Sequence, residues 1–229
     1  MAISKTQAVI GRVFYQRCFY LFLVLLAVIA GVPFIEPTPI GRFTVNLIGI
    51  LIMIASVAAV GRTRLSFVIV LLLAVPAITF HWMTVTTGEP QWALVSSCFT
   101  AVLYTATLAY LLQYVFQREV MTADRLFGAA AAYLLIGVSW SYFYGIVDHF
   151  YPGSFARGGT DAPLVAYDYL YFSFTVLTST GFGDIVPILR QTRSVCVVEQ
   201  VIGTLFLAIL IARLAGVYPP SAQRPTGAE

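Results

Sequence analysis

The sequence predicts an all-α membrane protein with six transmembrane helices, and with a re-entrant short helix and an extended loop placed between the fifth and the sixth. Three observations lead to that class. Of 229 residues, 59% are hydrophobic and 10% charged, with a mean hydropathy of +0.88, which is too apolar for the surface of a water-soluble domain. Several runs reach the roughly 20 apolar residues that a hydrocarbon core requires. One long connection, 148–193, holds an apolar stretch at 167–177 that is too short to cross and fits a re-entrant helix.

The expected spans are 19–35, 43–60, 65–83, 91–116, 126–147 and 194–214, each flanked by turn or charged residues. The first reads as a span and not as a cleaved leader, because its aromatic-rich run continues through Phe34 without a small-x-small cleavage site. The third contains Pro76, which lacks a backbone donor and predicts a kink. Basic residues fall mostly on one side: Lys5, Arg12 and Arg17, then Arg62 and Arg64, then Arg118 and Arg125, then Arg213. By the positive-inside rule that side is cytoplasmic, as are both termini. Arg42, Arg157, Arg190 and Arg193 lie on the other side, so the bias is moderate.

The expected organisation is a cytoplasmic segment 1–18, a four-helix domain 19–116, a linker 117–125, a second membrane unit 126–214 and a cytoplasmic tail 215–229, disordered after Gly216. A net charge of +3, with basic residues scattered singly, argues against nucleic acid as a partner and leaves membrane lipids. Cys18, Cys98 and Cys196 lie far apart in none of the spacings that bind zinc or carry redox chemistry, and no cofactor is expected.

The informative run is Tyr171-Phe172-Ser173-Phe174-Thr175-Val176-Leu177-Thr178-Ser179-Thr180-Gly181-Phe182-Gly183-Asp184, between the last two spans. A narrow extended backbone can line a path with carbonyl oxygens that replace the hydration shell of a potassium ion. Keeping consecutive carbonyls on one side requires unusual dihedrals at alternate positions, which glycine accepts cheaply. Gly181 and Gly183 meet that need, and the Ser179 hydroxyl adds an oxygen at the inner end of the column. Phe182 is expected to point away from the path and wedge against the short helix. Non-helical backbone at this depth is tolerable only where it is buried in protein or lines water.

This segment resembles the signature of tetrameric potassium channels, usually written Thr-Val-Gly-Tyr-Gly-Asp. Ser179 stands for the threonine, Thr180 for the valine and Phe182 for the tyrosine, while Gly181, Gly183 and Asp184 match outright. The resemblance covers 126–214 as outer helix, pore helix, filter and inner helix. It implies a homotetramer with potassium bound at Ser179, Thr180, Gly181 and Phe182, and an inner-helix glycine hinge at Gly203. It also implies that Thr204, Leu207 and Ile211 line the cavity below the filter.

The departures from that signature bear on function. Ser179 lacks the threonine methyl and Thr180 puts a polar group where valine packs, so a weakly selective monovalent cation channel is the rival reading. Phe182 lacks the usual phenol, Tyr171 and Phe172 replace a common tryptophan pair, and Thr175 offers Asp184 no carboxylate partner. Glu199 lies one turn before Gly203, deep in the membrane, where an ionisable group is costly and usually functional. It is expected to support the filter from behind, at Thr175 or Thr178, with a cavity-facing ring of carboxylates as the alternative. Asp168 at the start of the pore helix is expected to satisfy free backbone donors there, and solvation is expected to account for the turret charges Arg157 and Asp161. His149 beside Asp148 reads as a solvated polar turn in preference to a sensor of external protons.

Six spans with the filter at the end resemble voltage-gated channels, yet 91–116 contains no arginine and 43–60 no acidic partner, so steep voltage dependence is not expected. The tail is too short for a soluble regulatory domain, which leaves lipid, tension, pH, filter gating or a separate regulatory partner. A potassium uptake transporter would carry four related filter repeats where this chain has one. Gly181-Phe182-Gly183-Asp184 and Tyr167-Asp168 also resemble the motifs of intramembrane aspartyl proteases, but those place their aspartates on separate spans and these two have no span between them. The expected location is a plasma membrane, of the prokaryotic inner-membrane type.

Overall fold

Apolar runs without charge become helices because, in hydrocarbon, every backbone donor and acceptor must be paired within its own segment. The computed structural model describes residues 17–35, 39–60, 64–117, 122–159 and 163–217. Its helices are α1 (Arg17–Gly31, followed by a 3-10 turn Val32–Phe34), α2 (Pro39–Val60), α3 (Arg64–Thr87), α4 (Pro90–Val115), α5 (Ala123–Phe150), α6 (Ala166–Leu177) and α7 (Arg190–Val217). Lys5, Arg12, Arg62, Arg118, Asp161 and the tail from 218 onward lie outside the described residues.

Four stretches are long and apolar enough to cross a membrane, Val68–Thr87, Gln91–Val115, Ala123–Phe150 and Arg190–Ala215, while Cys18–Phe34 and Leu47–Ser56 are shorter apolar helices. The chain is a multi-pass membrane protein. Proline opens α2 and α4, where its missing donor costs nothing, and α3 runs continuously through Pro76.

Helix α5 is the centre of the arrangement. The first four helices pack in sequence, α1 on α2, α2 on α3 and α4, α3 on α4, and both α1 and α4 then pack on α5 of the same chain. Small residues make the approach close: Ala129, Ala131 and Ala132 are fully buried, and a Cβ at Gly128 would lie 3.3 Å from Val115 Cγ2 and 3.4 Å from Cys18 Sγ. Leu21 and Leu25 of α1, Leu103, Tyr104 and Leu111 of α4, and Leu135 and Ile136 of α5 fill that core.

A polar node ties the same three helices at one end. Asp124 accepts from the Cys18 backbone N–H at 3.1 Å and from the Tyr114 hydroxyl at 2.7 Å. Arg125, buried, donates to Gln117 Oε1 at 3.3 Å, and Arg213 of α7 donates to the Gln117 carbonyl. Arg125 and Arg213 therefore join helices through Gln117.

One element departs from an all-helical fold. Phe155–Arg157 (β1) and Ile185–Pro187 (β2) form an antiparallel ribbon with Phe155 opposite Pro187, Ala156 opposite Val186 and Arg157 opposite Ile185. Two more bonds extend it, from Gly158 N–H to the Asp184 carbonyl and from Ile188 N–H to the Ser154 carbonyl, both 2.8 Å. The physical reason is that the chain leaving 179–184 has extended backbone groups to pair, and the loop after α5 supplies the partner strand.

Candidate functional site

The short helix α6 is fixed at its start by charge and hydrogen bonds. Asp168 Oδ2 accepts from the Val165 N–H at 2.8 Å, which satisfies a free donor of the first turn, and its carboxylate pairs with Arg157 of β1. The structural role expected for Asp168 thus holds, whereas Arg157 is an ion-pair partner and not a merely solvated turret charge. Asp148, at the end of α5, accepts from the Ser154 N–H at 3.2 Å and from the Tyr169 hydroxyl at 2.6 Å. Burial and then that bond push the Tyr169 phenol well up, so it remains a donor. Asp148 is therefore a tie between α5, its following loop and α6, where the sequence suggested a solvated turn.

At the other end α6 stops because its last carbonyls are taken by the residues that follow. Thr178 N–H bonds to the Phe174 carbonyl at 3.1 Å and Ser179 N–H to Val176 at 2.9 Å. Thr180 and Gly181 N–H both converge on the Thr175 carbonyl, at 2.9 and 3.2 Å. Thr175 holds the turn through its backbone, while its hydroxyl bonds within the helix to the Phe172 carbonyl at 2.8 Å.

The segment after this turn has a strict alternation. Ser179, Gly181 and Gly183 have φ of 57°, 56° and 79°, all in the left-handed region, with Thr180 and Phe182 between them outside it. Ser179 is the one non-glycine residue with positive φ among the described residues. Alternating hands in an extended chain turn successive carbonyls toward one side. Residues 178–184 are all exposed. Phe182, 69% exposed, lies parallel to the Tyr171 ring of α6, with centroids 6.2 Å apart and planes 8° apart. The Thr180 hydroxyl is 2.8 Å from that of Thr178, and because Thr178 donates its own hydrogen to the Phe174 carbonyl at 2.7 Å, Thr180 is the donor of the pair. The polar group at the valine position is thereby satisfied. Asp184 accepts from the Ile185 N–H at 3.0 Å.

Helix α7 divides into two faces. Thr192, Cys196, Glu199, Gly203 and Phe206 are buried against α5 and α6, while Thr204, Leu207 and Ile211 lie on an exposed face. Glu199 thus faces the pore-helix side and not the face that carries Thr204. Its partners differ from those expected: Oε2 accepts from the Tyr144 hydroxyl of α5, and Oε1 lies 2.5 Å from Ser173 Oγ of α6. Ser173 Oγ also contacts the Gly137 carbonyl at 2.7 Å. Thr175 and Thr178 take no part. Tyr144, Ser173 and Gly137 were absent from the sequence-based site, although the i, i+7 spacing of Gly137 and Tyr144 places them on one face of α5.

Gly203 is required for contact. A Cβ there would lie 2.7 Å from the Leu177 carbonyl and 2.7 Å from Leu177 Cδ1, so α7 touches the end of α6 at this point. Gly137 plays a similar part for Phe174, whose ring would be 2.7 Å from an added Cβ.

Among the described residues no group of His, Cys, Asp or Glu is arranged to hold a metal ion. The aspartates of the protease-like motifs are otherwise engaged, Asp168 with Arg157 and Asp184 with its own ribbon. No curated protein and no solved structure matches the chain. Residues 126–218, the stretch that contains α5, α6, the alternating segment and α7, match a family described as "Ion channel", so this part of the chain is similar to the pore domain of ion channels.

Proposed function

We propose that the chain is one subunit of a homotetrameric, potassium-selective channel, with six spans per subunit, cytoplasmic termini and a plasma-membrane location of the prokaryotic inner-membrane type. The observation that carries this reading is the alternation of left-handed backbone at Ser179, Gly181 and Gly183, directly after the C-terminal turn of a re-entrant helix. Four such segments about an axis make stacked rings of carbonyls from which potassium, freed of water, passes in single file. The C-terminal end of α6 adds a negative helix end toward the cavity below, which favours a cation there. Thr204, Leu207 and Ile211, on the free face of α7, line that cavity, and Gly203 is the point about which α7 bends.

The four-helix domain offers no voltage sensor, since α4 has no Lys or Arg. Opening is therefore not steeply voltage-driven, and lipid, protons, the filter or a separate partner supplies the stimulus. A second reading, a weakly selective monovalent cation channel, is favoured by Ser179, which lacks a methyl to brace the ring of hydroxyls, and by Thr180, whose hydroxyl ties to Thr178.

The test is ion flux into liposomes containing the purified protein under potassium, rubidium and sodium gradients, repeated with Gly181→Asp. Flux of potassium and rubidium but not sodium, lost in the variant, is the expected result. Equal sodium flux would replace it with the weakly selective reading, and flux unaffected by the substitution would remove the filter assignment.

The packing of α1 and α4 on α5 of the same chain supports a reading in which each four-helix domain sits on its own pore unit. A Cβ at position 128 lies 3.6 Å from Cys18 Cβ, within the roughly 3.5–4.5 Å that a disulfide spans. Gly128→Cys, with Cys98 and Cys196 replaced by serine, is expected to crosslink to Cys18 within one subunit and leave non-reducing gel mobility monomeric. A ladder of crosslinked oligomers would instead mean that the domains are exchanged between subunits.

A further inference from the structure

Glu199 is fully buried, on a helix that crosses the membrane, and among the described residues no Lys or Arg pairs with it. The ion pair at the pore helix joins Arg157 to Asp168 at the opposite end. The groups that face Glu199 are Tyr144 and Tyr133 of α5, Ser173 of α6 and Cys196 one turn earlier on α7. A bare carboxylate here would lack any cationic partner.

The oxygens also require a fixed number of protons. Three close oxygen pairs run in series: Tyr144 to Glu199, Glu199 to Ser173 at 2.5 Å, and Ser173 to the Gly137 carbonyl at 2.7 Å. Each needs one hydrogen between its members. A carbonyl brings none, the phenol brings one and the serine hydroxyl brings one. Two hydrogens for three contacts leave one pair of lone-pair oxygens facing each other, unless the third comes from the carboxyl group itself.

We propose that Glu199 is carried as the neutral acid and acts as a positioning residue for the filter, in an unbroken donor chain from Tyr144 to Glu199 Oε2, from Glu199 Oε1 to Ser173, and from Ser173 to the Gly137 carbonyl. The chain stitches the outer helix, the pore helix and the inner helix one turn of α7 before Gly203, behind the filter. A carboxylate in this place would accept from both hydroxyls and leave Ser173 Oγ and the Gly137 carbonyl oxygen facing each other at 2.7 Å with no hydrogen between them; the acid accepts at one oxygen and donates at the other. Glutamine has the same pattern of one acceptor and one donor in nearly the same shape, which makes it the discriminating replacement.

The effect on flux rests on the channel reading, whereas the protonation state is measured independently of it. Infrared spectra of the purified protein in lipid at neutral pH, in H2O and D2O, are expected to contain the carbonyl stretch of a buried carboxylic acid that is missing from Glu199→Gln. Its absence from the parent spectrum would overturn the inference even if the channel conducts. In the flux assay Glu199→Gln is expected to stay within about twofold of the parent, while Glu199→Leu, which severs two hydrogen bonds and leaves the buried Tyr144 hydroxyl without that acceptor, loses at least about tenfold. Equal loss in the glutamine and leucine variants would show that the carboxylate charge is what matters and would refute the neutral chain. If the parent itself carries no flux, the infrared band alone decides the protonation state and the failure belongs to the channel reading.

Discussion

On the proposed reading of the chain as a tetrameric channel, Gly203→Ala is expected to abolish ion flux and to lower the thermal midpoint at which the assembly dissociates, with Glu199→Gln as the control that keeps both. Two opposing effects meet at this position. In a helix interior alanine is favoured over glycine by about 1 kcal/mol. Against that, the added Cβ would stand 2.7 Å from the carbonyl oxygen of Leu177, well inside van der Waals contact. The obstacle is backbone, at the residue that ends α6, and it cannot turn aside as a side chain does. Either α7 or the end of the pore helix must move, and forcing extra volume into a close-packed contact costs roughly 1–3 kcal/mol. With one such contact in every copy of the chain in the proposed assembly, overpacking outweighs propensity.

Gly137→Ala makes the comparison that isolates the cause. Its Cβ would be as close, 2.7 Å, but to the far edge of the Phe174 ring. A ring can swing where a main-chain carbonyl cannot, so the expected loss of flux is smaller than at Gly203. If Gly203→Ala assembles and conducts like the parent, the contact between α7 and Leu177 is not maintained in the working protein, and glycine at 203 must be explained by bending alone.

The sequence made the membrane class, the helix order and the positive-φ glycines of the 179–184 segment legible because each is written locally. Length and hydropathy mark a span, and Gly181 and Gly183 mark the need for positive φ. The buried polar connections were not legible. Glu199 stood out as an ionisable residue in an apolar helix, yet its partners come from α5 and α6, far away in the chain, and Tyr144 and Ser173 look ordinary in their own segments. The ribbon of β1 and β2 was missed for the same reason, since each strand has only three residues and no alternating pattern. Arg157 likewise reads as one more loop charge until the ribbon sets it beside Asp168.

Within the proposed filter, Gly183→Ala is expected to eliminate selective flux, and Ser179→Gly to raise the thermal midpoint of the proposed tetramer while lowering the preference for potassium over sodium that the reading assigns to it. In a single subunit a Cβ at Gly181 or Gly183 meets nothing within 4 Å, so space is not what demands glycine there. Backbone conformation is. At φ of 79° an L side chain opposes the left-handed region by about 1–2 kcal/mol, or about 4–8 kcal/mol for four copies on one axis. The chain relieves that strain by leaving the left-handed region, which swings a carbonyl off the axis and breaks a ring of ligands. Ser179 already bears the same cost at φ of 57°, and such strain persists where the surroundings enforce it and the side chain is needed. Replacing it with glycine removes the strain together with the hydroxyl proposed to add an oxygen to the innermost site. The measurements are dissociation of the tetramer on heating and the ratio of rubidium to sodium flux in liposomes. Gly183→Ala with parental selectivity would show that the alternation of backbone hands is not what orders the carbonyls, while Ser179→Gly with unchanged selectivity would exclude the serine hydroxyl as an ion ligand.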